Sequence, residues 1–139
     1  MSVHPGDMDE FLNGRSLLSR PFWAGCFEGM LRLQQCGRCQ LNSFVPRLNC
    51  QHCGASELAW TEVDRTGSLL TFSTVFMAPP RFREFVPYTV GIANFGGAQL
   101  FGVVAGERPY CEGPVVFVSG RDAAQALGPI PVPFGFALA

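Results

Sequence analysis

Residues 36–53 read CGRCQLNSFVPRLNCQHC, two Cys-x-x-Cys pairs with ten residues between them. A Cys-x-x-Cys turn aims two sulfurs at one ion while its backbone amides point at those sulfurs. Two such turns on facing hairpin tips complete a tetrahedron. The intervening residues suffice for two short strands and a turn, the geometry of a zinc ribbon. Gly54 follows the second pair, where such a turn calls for positive φ, whereas Gln40 stands in the corresponding place after the first.

Thiolates from Cys36, Cys39, Cys50 and Cys53 would close a metal's coordination shell. Hydrolytic chemistry, which keeps one position open, is therefore disfavoured. Three readings remain: a structural zinc organising a subdomain too short to build its own core, a rubredoxin-type iron, or disulfides. Structural zinc is favoured over both others. His52, inside the second knuckle, is superfluous as a ligand and reads as surface. Cys26 and Cys111 are singletons, read as small buried hydrophobes rather than nucleophiles. The two histidines, His4 and His52, lie in the tail and in the knuckle, so neither offers these thiols a base.

With 139 residues, 47% of them hydrophobic and 15% charged, the chain has enough apolar material for a core and lacks the signature of disorder. The formal net charge of −1 supplies no global field for nucleic acid or anionic lipid. All ten basic residues are Arg, so lysine Schiff-base chemistry is excluded. The N-terminus has no basic stretch followed by an apolar one, and no run of about 18 apolar residues occurs. A cytoplasmic protein is the expectation, and in that reducing compartment clustered cysteines read as ligands first.

Along the chain, residues 1–19 read as a tail with a helical turn around DMDEFL. RPFWAGCFEGML predicts a helix with Pro21 in its first turn, an apolar stripe of Phe22, Trp23, Cys26, Phe27 and Met30, and Gly29 at its end. MLRLQQC alternates like a strand feeding the first knuckle. ELAWTEVDR and GSLLTFSTVFM are strand-like, with Gly67 read as a bend between them. VPYTVGIANF and AQLFGVVAG flank Gly96-Gly97, a two-residue hairpin signal. GPVVFVS and VPFGFAL are further strands, joined by RDAAQALGPIP, read as a turn-rich connection. The expectation is a mainly β chain: a tail (1–19), a helix plus rubredoxin-like ribbon (20–56), and a five-stranded OB-like barrel (57–139).

Two stretches carry candidate recognition residues. MAPPRFREFVPY joins two strands and holds Arg81, Phe82, Arg83, Phe85 and Tyr88 between prolines. Arginines beside aromatic rings can hold a phosphate and stack on a purine, whereas a plain loop would pack its rings and solvate its arginines. FWAGCFEGMLR offers Trp23 and Phe27 to a partner or to the core.

Taken together, PFWAGCFEGMLRLQQC, the CGRC…CQHCG ribbon with Pro46-Arg47 inside it, and ELAWTEVDRTGSLLTFSTV leading to PYTVGIANF resemble a known family. It is the rubredoxin-like zinc ribbon fused to an OB-fold, domain of unknown function family thirty-five, and the likeness covers most of residues 20–119. The resemblance implies an accessory subunit without catalytic residues of its own. Such subunits accompany thiolase-fold or ketosynthase-like enzymes, and some accompany acyl-CoA hydratases. The partner supplies the catalytic Cys or His, while the ribbon/OB subunit bridges partners and can shape the passage of the CoA or pantetheine arm. On that reading Arg81 and Arg83 contact CoA or the partner, together with Phe82, Phe85, Trp23 and Phe27. The competing readings are a nucleic-acid-binding ribbon/OB module and an iron-containing redox protein.

Overall fold

The computed structural model describes Leu12 and residues 14–44, 46–130 and 132–139. His4 lies outside them, and so, apart from Leu12, does the helical turn expected around DMDEFL.

A short 3-10 turn (Leu17–Ser19) leads into helix α1 (Arg20–Glu28), with Pro21 in the first turn, where its missing N–H costs nothing. Gly29 ends it at φ 81°, a left-handed conformation that glycine takes without strain. The Gly29 and Met30 amides then bond back to the Cys26 and Gly25 carbonyls at 3.1 and 2.7 Å. The buried face of α1 carries Phe22, Gly25 and Cys26.

Strands β1 (Leu31–Cys36), β2 (Asn42–Ser43) and β3 (Leu58–Val63) form a three-stranded antiparallel sheet in the order β2-β1-β3. β1 and β3 pair along their whole length, from Leu31 opposite Val63 to Cys36 opposite Leu58. The ELAWTEV segment thus pairs within the ribbon sheet. Buried Gln34 on β1 holds the following loop, accepting from the Arg47 amide at 2.8 Å and donating to the Arg47 carbonyl at 3.1 Å.

β4 (Thr66–Val75), β5 (Tyr88–Phe95), β6 (Ala98–Ala105), β7 (Pro114–Ser119) and β8 (Phe134–Leu138) close a five-stranded barrel in the order β4-β5-β6-β8-β7. All neighbours are antiparallel except β6 and β8. A closed barrel of this order removes most sheet edges. The expected mainly β class, N-terminal helix, cysteine-bearing ribbon and five-stranded barrel are all present.

Two expectations are corrected. RDAAQALGPIP is not only a turn: Gly120–Leu127 form helix α2. Ala123 and Leu127, four apart on one face, pack on Val103 and Val118 outside the barrel, and that burial outweighs the glycines and prolines around the helix. Gly67 is not a bend between strands but lies inside β4. The bend falls at Asp64-Arg65, where the Thr66 amide bonds the Asp64 carboxylate at 2.9 Å.

One core serves both halves. Phe22 and Cys26 from α1, Leu31 and Leu33 from β1, and Leu69, Phe95, Leu100, Phe117 and Phe136 from the barrel belong to a single buried cluster. Arg65 ties the pieces from outside, donating through Nη1 to the Gly29 carbonyl at 3.2 Å and to the Asp122 carboxylate at 3.5 Å.

Gly67 has a packing reason. A Cβ there would overlap the Asn94 carbonyl oxygen and stand 2.7 Å from the Phe95 ring. Gly67→Ala should therefore destabilise the barrel by about 1–3 kcal/mol, as overpacking does. The check is a lower urea midpoint with an unchanged m value and unchanged bound metal.

Candidate metal centre and contact surfaces

The four cysteines converge. Their Sγ atoms all lie within 4.8 Å of one another, with Cys36–Cys53 and Cys39–Cys50 each at 3.6 Å. Sulfurs placed tetrahedrally at about 2.3 Å from a zinc ion would be roughly 3.8 Å apart, so the set fits such an ion.

The two knuckles are built alike. In each, the first cysteine's amide bonds to a carbonyl just beyond the knuckle, Cys36 to Leu41 at 3.0 Å and Cys50 to Ala55 at 2.8 Å. In each, the residue after the second cysteine closes the turn onto the first cysteine's carbonyl at 2.9 Å, through Gln40 and Gly54. Both adopt positive φ, 65° at Gln40 and 77° at Gly54. The first knuckle therefore takes the glycine conformation without glycine.

Backbone amides tune the sulfurs. Cys36 Sγ accepts from the Arg38 and Cys39 amides at 3.4 and 3.5 Å, and Cys50 Sγ from the His52 amide at 3.4 Å. The Cys39 and Arg38 amides hold the Cys36 thiol below its ordinary range. The Cys53 and His52 amides bring Cys50 down to about 6. At Cys39 the Leu41 amide pulls the same way, but desolvation and the neighbouring thiols outweigh it and push the group up to about 12. Crowded sulfurs thus share protons in the absence of a cation, because a second thiolate beside the first is repelled. A bound dication removes that repulsion and displaces the remaining protons.

Of the singletons, Cys26 is buried and pushed up to about 12 by desolvation, against the lowering effect of Arg15, which makes it a neutral packing group. Cys111 departs from expectation: it is exposed. It sits in the loop between β6 and β7, beside Glu112, whose amide bonds to the Leu69 carbonyl. His52 is exposed, as its reading as surface requires.

The contact candidates fall on two elements. On α1, half-buried Trp23 packs edge-on against Phe22 at 5.0 Å and near Phe134 at 6.0 Å, with the Arg15 guanidinium 3.8 Å from its ring centroid. Half-buried Phe27 lines a cleft of about 310 Å³ with Ala123, Ile130 and Val132. The other group lies in the β4–β5 loop, where Pro80–Phe85 form a 3-10 turn. Arg81 and Arg83 are exposed there, while Phe82 and Phe85 are half-buried. Phe82 leans on Tyr88 at 6.2 Å, with Arg81 5.5 Å from its ring centroid.

Sequence reasoning missed the apolar groups at the end of β4. Phe76 is 72% and Met77 93% exposed, while Phe72 and, on β6, Phe101 are 37% and 62% exposed. The available signal was the absence of any charge between Arg65 and Arg81. It also missed a polar cleft of about 420 Å³ between ribbon and barrel, lined by Asn42, Arg47 and Gln99. Asn42 spans it, donating to the Gly96 carbonyl at 2.7 Å. Among the described residues, no helix is long and apolar enough to cross a membrane.

Comparison with known proteins bears out the resemblance. Residues 60–118 match the family model of the C-terminal OB-fold domain of ChsH2. No curated protein matches the chain. Among solved structures, a chain of an Ltp2–ChsH2(DUF35) aldolase is similar with a TM-score of 0.70 at 21% identity, over 90% of this chain and 97% of that one. A protein of unknown function from the DUF35 family of Sulfolobus solfataricus is similar with a TM-score of 0.62 at 13% identity, over 94% and 91%. The fold is shared with these chains, and in this one the four-cysteine cluster, which fits a zinc ribbon, precedes the OB-fold barrel.

Two outcomes follow for the ribbon. Cys50→Ser should abolish tight metal binding, and hydrogen exchange should rise in residues 36–55 before it rises in the barrel, since the metal supplies much of the ribbon's folding energy. Gln40→Gly relieves a left-handed side-chain residue and should stabilise the ribbon by about 1 kcal/mol, visible as slower metal loss to a chelator.

Proposed function

We propose that this chain is a zinc-holding, non-catalytic accessory subunit of an acyl-CoA or acyl-transferring complex, which bridges thiolase-fold subunits and helps to shape the acyl or CoA passage. The observation that carries the reading is the near full-length likeness to a chain of the Ltp2–ChsH2(DUF35) aldolase, with a TM-score of 0.70. The donor set supports it: four cysteines that close a metal's shell leave no position for substrate, so the metal's part is to hold the knuckles. Zinc suits four thiolates in a tetrahedral arrangement and needs no redox partner.

On this reading the chain divides into a tail (1–19), a helix with ribbon (20–56) whose sheet is completed by β3 (Leu58–Val63), and a barrel that takes up the rest of 57–139, and it works in the cytoplasm. Partner contact falls to Arg81, Phe82, Arg83 and Phe85 on the β4–β5 loop and to Trp23 and Phe27 on α1. Arg81 and Arg83 present bidentate guanidinium groups suited to a phosphate of CoA or a carboxylate of the partner. The nucleic-acid alternative has the barrel in its favour, but the exposed rings Phe72 and Phe76 stand in residues 66–80 and Phe101 in residues 84–107, two stretches without basic residues, and the formal net charge is −1. Single-strand binding needs a positive groove beside its stacking rings.

Affinity purification from native cells, with identification of what co-purifies, tests the reading. A thiolase-fold or related acyl-processing enzyme is the expected partner, with about one zinc ion per chain. Iron in place of zinc would support the redox alternative, and co-purifying nucleic acid the other. The isolated chain should show no acyltransferase or thioesterase turnover, and activity of the isolated chain that survives Cys26→Ala and Cys111→Ala would overturn the assignment.

A further inference from the structure

β4 is long, and only its first half is paired on both sides. Thr66, Gly67 and Ser68 lie opposite Val116, Val115 and Pro114 of β7. Leu69 completes that edge through the Gly113 carbonyl at 2.9 Å and the Glu112 amide at 2.6 Å. From Thr71 to Val75 the strand continues against β5, from Ile92 to Tyr88, after an irregularity between Leu69 and Thr71. Among the described residues, no strand pairs with the other side of Leu70–Val75. Thr71, Phe72, Ser73 and Thr74 are all exposed.

An open edge presents unpaired N–H and C=O groups, and proteins ordinarily blunt such edges with charged side chains. This one carries no charge from Thr66 to Pro80 and continues into exposed Phe76 and Met77. We infer that the Leu70–Val75 edge receives an extended strand from the partner enzyme, extending the barrel sheet by β-augmentation. This inference rests on the accessory-subunit reading and names the surface through which it works.

The flanking charges decide between a partner and a second copy. The neutral stretch is bracketed by Arg65 and Arg81, with Arg83 beyond. Arg65 is already engaged by the Gly29 carbonyl and the Asp122 carboxylate, and a copy paired through the same uncharged stretch brings no carboxylate of that stretch to Arg81 and Arg83. A segment that alternates hydroxyl and apolar residues and ends in carboxylates meets Arg81 and Arg83 instead. Neither arginine has an ion-pair partner among the described residues. The occupant is thus a neutral extended segment with an acidic end, its backbone supplying affinity and its carboxylates setting direction.

Hydrogen exchange on the chain alone and within the complex purified from native cells tests this directly. Those amides of residues 70–75 that point away from β5 should exchange at least about tenfold more slowly in the complex. Arg81→Glu with Arg83→Glu should weaken the complex about tenfold while leaving the chain's own urea midpoint unchanged, and the Arg81→Lys, Arg83→Lys pair should retain most binding. A complex with an acyl-processing enzyme in which residues 70–75 exchange as fast as in the free chain overturns the strand inference and leaves the proposed function standing. A chain that purifies with no other protein, as a monomer or as a self-associated dimer, overturns both.

Discussion

The architecture depends on one ring. Phe22, on a helix of nine residues, meets Phe44 of the ribbon edge-on at 4.9 Å, and Phe134 and Phe117 of the barrel at 5.6 and 6.5 Å. Edge-to-face pairs of this kind add to the gain from burial alone. Because those contacts reach into both parts, the ribbon is not an appendage on a tether. The sulfur cluster shapes the two knuckles, and the aromatic cluster decides where they sit. Cys36, Cys50 and Ala55 form their own small buried group, which alone would be too little to fold.

This separation explains what could be read from residue order. Cysteine spacing is a local signal, so the ribbon and its ligands were legible at once. The strands of the barrel were legible through alternation and through Gly96-Gly97, which take φ of 60° and 94° at the hairpin tip. Helix α2 was not, because its stripe is two residues long and its purpose, covering Val103 and Val118, exists only after the barrel has closed. Gly67 was misread for a similar reason: its need for hydrogen in place of a side chain comes from Asn94 and Phe95, nearly thirty positions away. Gln40 shows the reverse: the turn it closes calls for the glycine conformation, and a residue with a side chain adopts it at φ 65°.

The contact candidates divide in the same way. Aromatic and basic residues in a proline-bounded loop announce themselves, and Arg81 and Arg83 do stand in solvent. Exposed Phe76 and Met77 do not, because in sequence they read as the end of an ordinary strand. Only the pairing pattern shows that the strand outruns its neighbour on one side.

The bend between β3 and β4 is two residues long, and Arg65 within it grips both the end of α1 and the flank of α2. With a shared core beneath and no slack in the covalent link, ribbon and barrel keep a set angle. Such a body has the rigidity of a gauge block: anything seated against the knuckles and anything seated against the barrel would be held at a separation that this chain dictates.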